Sequence, residues 1–152
     1  MEIIDQAQAL HIVGIELRTS NAEAARTIPA FWQHFQQHGV MARLAHRRSD
    51  DVYAVYTHFE HAGRDNAGLY SLVIGACVPP QAEVPAGMVR AVAPAGRRAV
   101  FAVEDGRPDK VAEAWGAVWQ RHDLPKCFVA DYERYRAGGG IDICVGLHPE
   151  AA

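Results

Sequence analysis

Glu133 is the side chain whose type and surroundings most suggest chemistry. It lies inside Ala130-Asp131-Tyr132-Glu133-Arg134-Tyr135, where a strand period puts Asp131, Glu133 and Tyr135 on one face and Tyr132 and Arg134 on the other. Glutamate is a poor strand former, so it needs a reason to be there. A solvent-facing strand position would let it pair with Arg134 or Arg136. A partly buried position in an aromatic cleft would instead attract an organic cation, through charge at low dielectric and through ring faces. Candidate walls of such a cleft are Trp32, Tyr56, Phe59, Tyr70, Phe101, Trp115 and Tyr135.

A second acid, Glu60, also follows an aromatic, in Thr57-His58-Phe59-Glu60. Two carboxylates in one groove serve as an acid and base pair only when their environments push their pKa values apart. Glu60 borders a turn, so its carboxylate is expected to be the more solvated of the two. His34 and His38 stand four apart on a helical stretch, a spacing that can bind zinc. Phe35 follows His34 where the zinc-protease signature has glutamate, and no third ligand lies nearby in sequence, so no metal is expected. A Gly-x-Ser-x-Gly elbow, a Walker loop and a dinucleotide fingerprint are all missing, and no cofactor is expected.

The elements that must hold these residues follow from periodicity. Ala9 to Thr19 reads as a strand, and Ser20 or Asn21 can cap a helix that ends at Gly39. Within that helix Ile28, Phe31, Trp32 and Phe35 share one face, and Pro29 suggests a true start near Thr27. Asp51 to Glu60 and Leu69 to Val78 alternate as strands, the second ended by Pro79-Pro80. On the first of them Tyr53, Val55, Thr57 and Phe59 share one face, and Ala54, Tyr56, His58 and Glu60 the other. A Pro, Ala and Gly-rich link runs to Gly87. Met88 to Val103 is extended with a bend at Pro94-Ala95-Gly96, and a second helix follows with Val111, Trp115, Val118 and Trp119 on its apolar face. Phe31, Phe35, Val118 and Trp119 are assigned to the core. Phe128 to Arg136 and Ile141 to Leu147 close the chain as strands, and Gly138-Gly139-Gly140 between them reads as a hairpin turn needing positive φ.

The second half therefore repeats the plan of the first: strand, helix, strand, strand. Aromatic, acid, turn, apolar strand and final glycine recur from Phe59-Glu60 to Gly75 and from Tyr132-Glu133 to Gly146, making Glu60 the counterpart of Glu133. The expected fold is α+β, with two pseudo-twofold-related strand-helix-strand-strand repeats whose antiparallel sheets surround a central ligand cleft. Repeat one covers about 8–78 and repeat two about 88–147, within a single domain over 1–152.

Composition narrows the function classes. A chain of 152 residues can bury a sizeable core without disulfides or metal. Net charge is −3, with basic residues scattered apart from His46-Arg47-Arg48, which argues against nucleic-acid binding. Cys77, Cys127 and Cys144 have neither zinc-ribbon spacing nor an even count. The opening residues, with Glu2 and Asp5, do not resemble a signal peptide, and no membrane span is evident, so a cytoplasmic location is expected.

Nearly the whole chain resembles the gyrase-inhibitor-like (GyrI-like) effector-binding domains, which are also found fused to multidrug-sensing bacterial transcription activators. The resemblance rests on Ile28-Pro29-Ala30-Phe31-Trp32, Tyr53-Ala54-Val55-Tyr56, Tyr70-Ser71-Leu72-Val73-Ile74-Gly75, Pro85-Ala86-Gly87-Met88, Pro94 to Phe101, Tyr132-Glu133-Arg134-Tyr135 and Ile141 to Gly146, in that order. It implies a pocket between two pseudo-symmetric units, with Glu133 facing cationic or amphipathic ligands. The fused regulators carry a helix-turn-helix domain for which these residues leave no room, so direct transcription activation is not expected. Three functions follow from the resemblance. One is capture of hydrophobic, often cationic aromatic compounds by a stand-alone module. A second is hydrolysis of cyclopropane-type genotoxins, with Glu133 orienting water and Tyr56 assisting. The third is an interaction module for a protein such as DNA gyrase.

Overall fold

A computed structural model of the chain describes residues 1–150. The elements run β1 (Glu2–Gln6), β2 (Leu10–Ser20), α1 (Ala24–Gln37), β3 (Val52–Thr57), β4 (Leu69–Val78), β5 (Val89–Ala93), β6 (Gly96–Ala102), α2 (Val111–Trp119), β7 (Ala130–Tyr135) and β8 (Ile141–Gly146). All eight strands join one antiparallel ladder in the order β1-β6-β8-β7-β3-β4-β2-β5. Read outward from the central β7-β3 pair, β7-β8-β6 on one side matches β3-β4-β2 on the other. The α+β class and the doubled strand-helix-strand-strand plan are therefore present, as a single continuous ladder.

Two strands depart from the sequence reading. β1 was not foreseen, and it pairs with β6 of the second half (Glu2 opposite Val100). The extended run expected from Met88 to Val103 divides at Pro94-Ala95: β5 turns back to pair with β2 of the first half, and only β6 opens the second. Each half thus takes its edge strand from chain outside its own strand-helix-strand-strand unit.

This exchange forces the ladder to curl. β5 and β6 lie six ladder steps apart, about 29 Å if the sheet were flat, yet only two residues connect them. Gln6 bridges the closing gap, donating to the Ala93 and Pro94 carbonyls at 3.1 and 3.2 Å and accepting from the Tyr132 hydroxyl at 2.9 Å. Inside the curl sits a core of Ile12, Tyr53, Val55, Val73, Ala91, Tyr132 and Cys144. Gly14 and Gly75 face each other across β2 and β4, and a Cβ on either would run into the carbonyl of the opposing strand, so the close approach of the two backbones there requires glycine.

The outer face carries the helices. α1 buries Phe31 and Phe35 against Val13, Ile15, Leu72 and Ile74. α2 buries Val118 against Ala99, Ile143 and Val145. Pro29 is the sixth residue of α1, not part of its first turn, and neither Ser20 nor Asn21 caps it: the residue before the helix is Glu23, with no side-chain cap. Gly139 and Gly140 have φ of 97° and 105°, so the glycine run is the expected turn. Among the described residues no helix is long and apolar enough to cross a membrane.

Candidate functional site

The β3-β7 seam forms the floor between the two helices, and a cleft of about 690 Å³ opens above it. Strand alternation delivers Asp131, Glu133 and Tyr135 of β7 to this face, together with Tyr56 of β3 and Tyr70 of β4. α1 contributes Ile28 and Trp32 to one wall, and α2 contributes Val111, Trp115 and Trp119 to the other.

Glu133 sits at the centre and is 1% exposed. Its Oε2 accepts the Tyr56 hydroxyl at 2.8 Å and the Trp115 indole N–H at 2.7 Å, while Oε1 accepts the Tyr135 hydroxyl at 2.5 Å. Burial raises its pKa above the ordinary glutamate value, and the three donors oppose that rise. Burial and the adjacent carboxylate in turn push the Tyr56 and Tyr135 hydroxyls up, and Tyr70 up to about 12, so all three phenols are neutral donors at ordinary pH.

The arginines that could have neutralised Glu133 are committed elsewhere. Arg134 lies on the opposite face, where it holds Asp51 at 2.7 Å. Arg136 pairs with Asp142. Glu133 is therefore a buried acid held by neutral donors and, among the described residues, not paired with a cation. Desolvating a lone carboxylate costs several kcal/mol, roughly, even after relaxation, and neutral hydrogen bonds offset only part of it.

The rings around it form two groups of edge and tilted contacts, which meet at Glu133. Tyr56 meets Trp115 at 5.4 Å and Tyr70 at 5.6 Å, Tyr70 meets Phe59 at 5.9 Å, and Trp32 meets Tyr135 at 5.0 Å. Of the residues singled out in the sequence, Glu133, Trp32, Tyr56, Phe59, Tyr70, Trp115 and Tyr135 all line this one cleft. Phe101 does not. It points from β6 into the cluster of Ala99, Ile143 and Val118, because β6 is two ladder positions away from β7 and α2 covers its outer face. Phe59 reaches the cleft by a route that alternation forbids. β3 ends at Thr57, and His58 takes a φ of 50°, which turns Phe59 to the side of Tyr56.

Glu60 is exposed and lies outside the cleft. Its Oε1 accepts the Leu69 backbone N–H at 3.0 Å, closing the loop that leads into β4. The repeat alignment that equated it with Glu133 does not match the strands: Glu60 falls three residues past the end of β3, whereas Glu133 lies inside β7. Trp119, assigned to the core, is 43% exposed and lines the cleft rim instead, since α2 is too short to fold it under. His34 and His38 stack at 4.0 Å on the exposed side of α1. Among the described residues no group of three or more His, Cys, Asp or Glu side chains is arranged to hold a metal.

Sequence reasoning missed five polar residues of the cleft, Asn21, Gln36, Asn66, Lys126 and Asp131. Asn21 accepts the Tyr70 hydroxyl at 3.0 Å and donates to the Asn66 carbonyl at 3.3 Å, so it organises the cleft and not the helix. Lys126 lines the cleft and donates to the Arg121 carbonyl at 2.7 Å, and burial lowers its pKa. Asp131 is buried and accepts the Gly146 backbone N–H at 2.7 Å. Burial pushes it up to about 6, with that hydrogen bond, Arg98 and Lys126 pulling the other way. Only Asp131 had left a signal, as it shares the parity of Glu133.

Comparison with known proteins places this geometry in a wider set. The family model of the integron-associated effector binding protein, Cass2, matches residues 4–140. Among solved structures, an integron cassette protein from the mobile metagenome of Vibrio cholerae aligns with a TM-score of 0.69 at 19% identity, over 97% of this chain and 95% of that one. A protein solved bound to tetraphenylphosphonium aligns with a TM-score of 0.76 at 19% identity, over 95% and 91%. A Staphylococcus aureus Mu50 protein ascribed to bacterial transcription regulation aligns with a TM-score of 0.74 at 18% identity, over 95% of both. At these identities the likeness is one of fold. The comparison with curated proteins gave no match.

Proposed function

Because this chain belongs to the family of integron-associated effector binding proteins, we propose that its cleft captures a hydrophobic aromatic cation, with Glu133 supplying the charge and the surrounding rings the walls. The observation that carries this reading is a carboxylate buried to 1% exposure with aromatic donors on both oxygens and, among the described residues, no paired cation. A large, weakly hydrated cation sheds its water cheaply and then gains from the field of that carboxylate at low dielectric. The rings add to the attraction. Each hydroxyl or indole N–H that donates to Glu133 polarises its ring toward greater electron density, which strengthens the face offered to a cation. The bound tetraphenylphosphonium in a structural neighbour is a ligand of this class and supports the reading.

Hydrolysis of a strained electrophile draws less support from the geometry. An ionised carboxylate has about four acceptor sites, and three of those on Glu133 are taken, which favours holding charge over activating water.

The test is a tryptophan fluorescence titration with tetraphenylphosphonium and, as a neutral analogue, triphenylphosphine oxide. Saturable quenching by the phosphonium, with affinity falling in Glu133→Gln, is the expected result. Equal affinity for the neutral analogue, or an unchanged Glu133→Gln, would sink the proposal.

A further inference from the structure

Asp131 and Glu133 share one face of β7 and line the same cleft, but their carboxylates are differently occupied. Glu133 accepts three hydrogen bonds across both oxygens. Asp131 accepts one among the described residues, from the Gly146 N–H to Oδ1, leaving Oδ2 without a protein partner at the cleft wall. The residue is 6% exposed, and the access its carboxylate has is from the cleft. Two cations and one thiol face it, and none hydrogen-bonds to it. Arg98 of β6 donates to the Ala130 and Pro94 carbonyls at 2.8 and 2.9 Å. Lys126 donates to the Arg121 carbonyl, and the Cys127 thiol is held protonated by burial and by Asp131 itself.

We infer that Asp131 is a second anchoring point in the cleft, one that takes an N–H-bearing cation such as a protonated amine or amidine, at about 6.6 Å along the strand from Glu133. The inference rests on the cation-capture reading and gives the ligand a shape. A quaternary or phosphonium centre has no N–H to donate and suits the Glu133 cage, where field and ring faces suffice. A primary ammonium needs acceptors, and Asp131 offers a whole carboxylate oxygen that no protein donor among the described residues occupies. The favoured ligand class is therefore an aromatic carrying a bulky cationic head and an amine or amidine at the opposite end of one ring.

The experiment compares benzyltrimethylammonium with its para-aminomethyl and para-hydroxymethyl derivatives by calorimetric titration of the full chain. The aminomethyl compound is expected to bind about tenfold tighter than the parent at pH 7.5, as one added charge-assisted hydrogen bond would give, and the hydroxymethyl compound to show little gain. That advantage should shrink at pH 5, below the value of about 6 at which Asp131 takes up a proton, while the amine stays charged. Asp131→Asn, which keeps an acceptor for the Gly146 N–H, should remove most of the advantage, and its near-ultraviolet spectrum shows whether it folds. The wild-type pH comparison needs no variant. An advantage that is absent in the wild type, or that survives Asp131→Asn, overturns the inference while leaving cation capture intact if the parent binds in a Glu133-dependent way. Binding of none of the three overturns both.

Discussion

The half built from β2, α1, β3 and β4 gives the cleft Asn21, Trp32, Tyr56, Phe59 and Tyr70, all uncharged, whereas the half holding β6, α2, β7 and β8 adds Lys126, Asp131 and Glu133 to its own Trp115 and Tyr135. The two halves share a plan, and the ladder sets them side by side at β3-β7, where Ala54 stands opposite Glu133. One repeat supplies neutral walls and the other the charge. The difference teaches that a duplicated scaffold need not give a duplicated site. A second carboxylate opposite Glu133 would place like charges in a desolvated space, and the residue there is the uncharged, fully buried Ala54.

Removing the charge from the second half has the largest expected effect. Glu133→Gln should weaken tetraphenylphosphonium binding by about 2 to 5 kcal/mol, the range for truncating a desolvated charge pair, measured by fluorescence titration. A loss of that size from a change in the first half would break the asymmetry.

Next in size is a pH effect confined to the second half. A carboxyl whose pKa rises on folding holds its proton more tightly in the folded state, so it favours folding at low pH. That contribution fades as pH climbs from the unfolded value toward the folded one. Asp131 rises from 3.8 to about 6, which corresponds to about 3 kcal/mol lost between pH 4 and pH 7. Urea unfolding across that range should show wild-type stability declining and Asp131→Asn declining less, with Glu133 supplying a remaining slope of the same sign. Equal slopes would mean that Asp131 is not desolvated as described.

Trp115→Phe keeps the ring and removes one donor from Glu133. It should cost about 1.5 to 3 kcal/mol of stability, the worth of a hydrogen bond to a charged group, read from urea midpoints. The smallest effect belongs to Glu60→Gln in the first half, within about 0.5 kcal/mol in stability and without measurable change in phosphonium affinity. A larger binding loss there would restore the equivalence of Glu60 and Glu133 that their strand positions contradict.

Much of this arrangement was legible because two periodicities carry it. The period of two placed Glu133, Tyr135 and Asp131 together, and helical spacing set Phe31, Phe35 and Val118 toward the core. What escaped depended on single backbone angles and on distant pairing. Phe59 reaches the cleft through the φ of His58, which nothing in the local sequence required. Trp119 is exposed because α2 ends there. Phe101 was misplaced because β6 lies two ladder positions from β7, under α2, and β1 was overlooked because its partner is almost a hundred residues away. Asn21 has the composition of a helix cap, and only its contact with Tyr70 reveals its other use.

The exchange of edge strands also sets an order of events for the chain as it is made. β1 emerges first and stays without a partner until β6 has been synthesised, and the floor of the cleft is incomplete until β7 arrives to lie along β3. Such distant pairings form slowly, since the intervening chain must be closed before they are rewarded. The binding site is therefore complete only after β7 has been made, more than seventy residues later than β3. A ligand resting on both β3 and β7 acts as a rivet across that joint, and its occupancy should lengthen the lifetime of the folded chain.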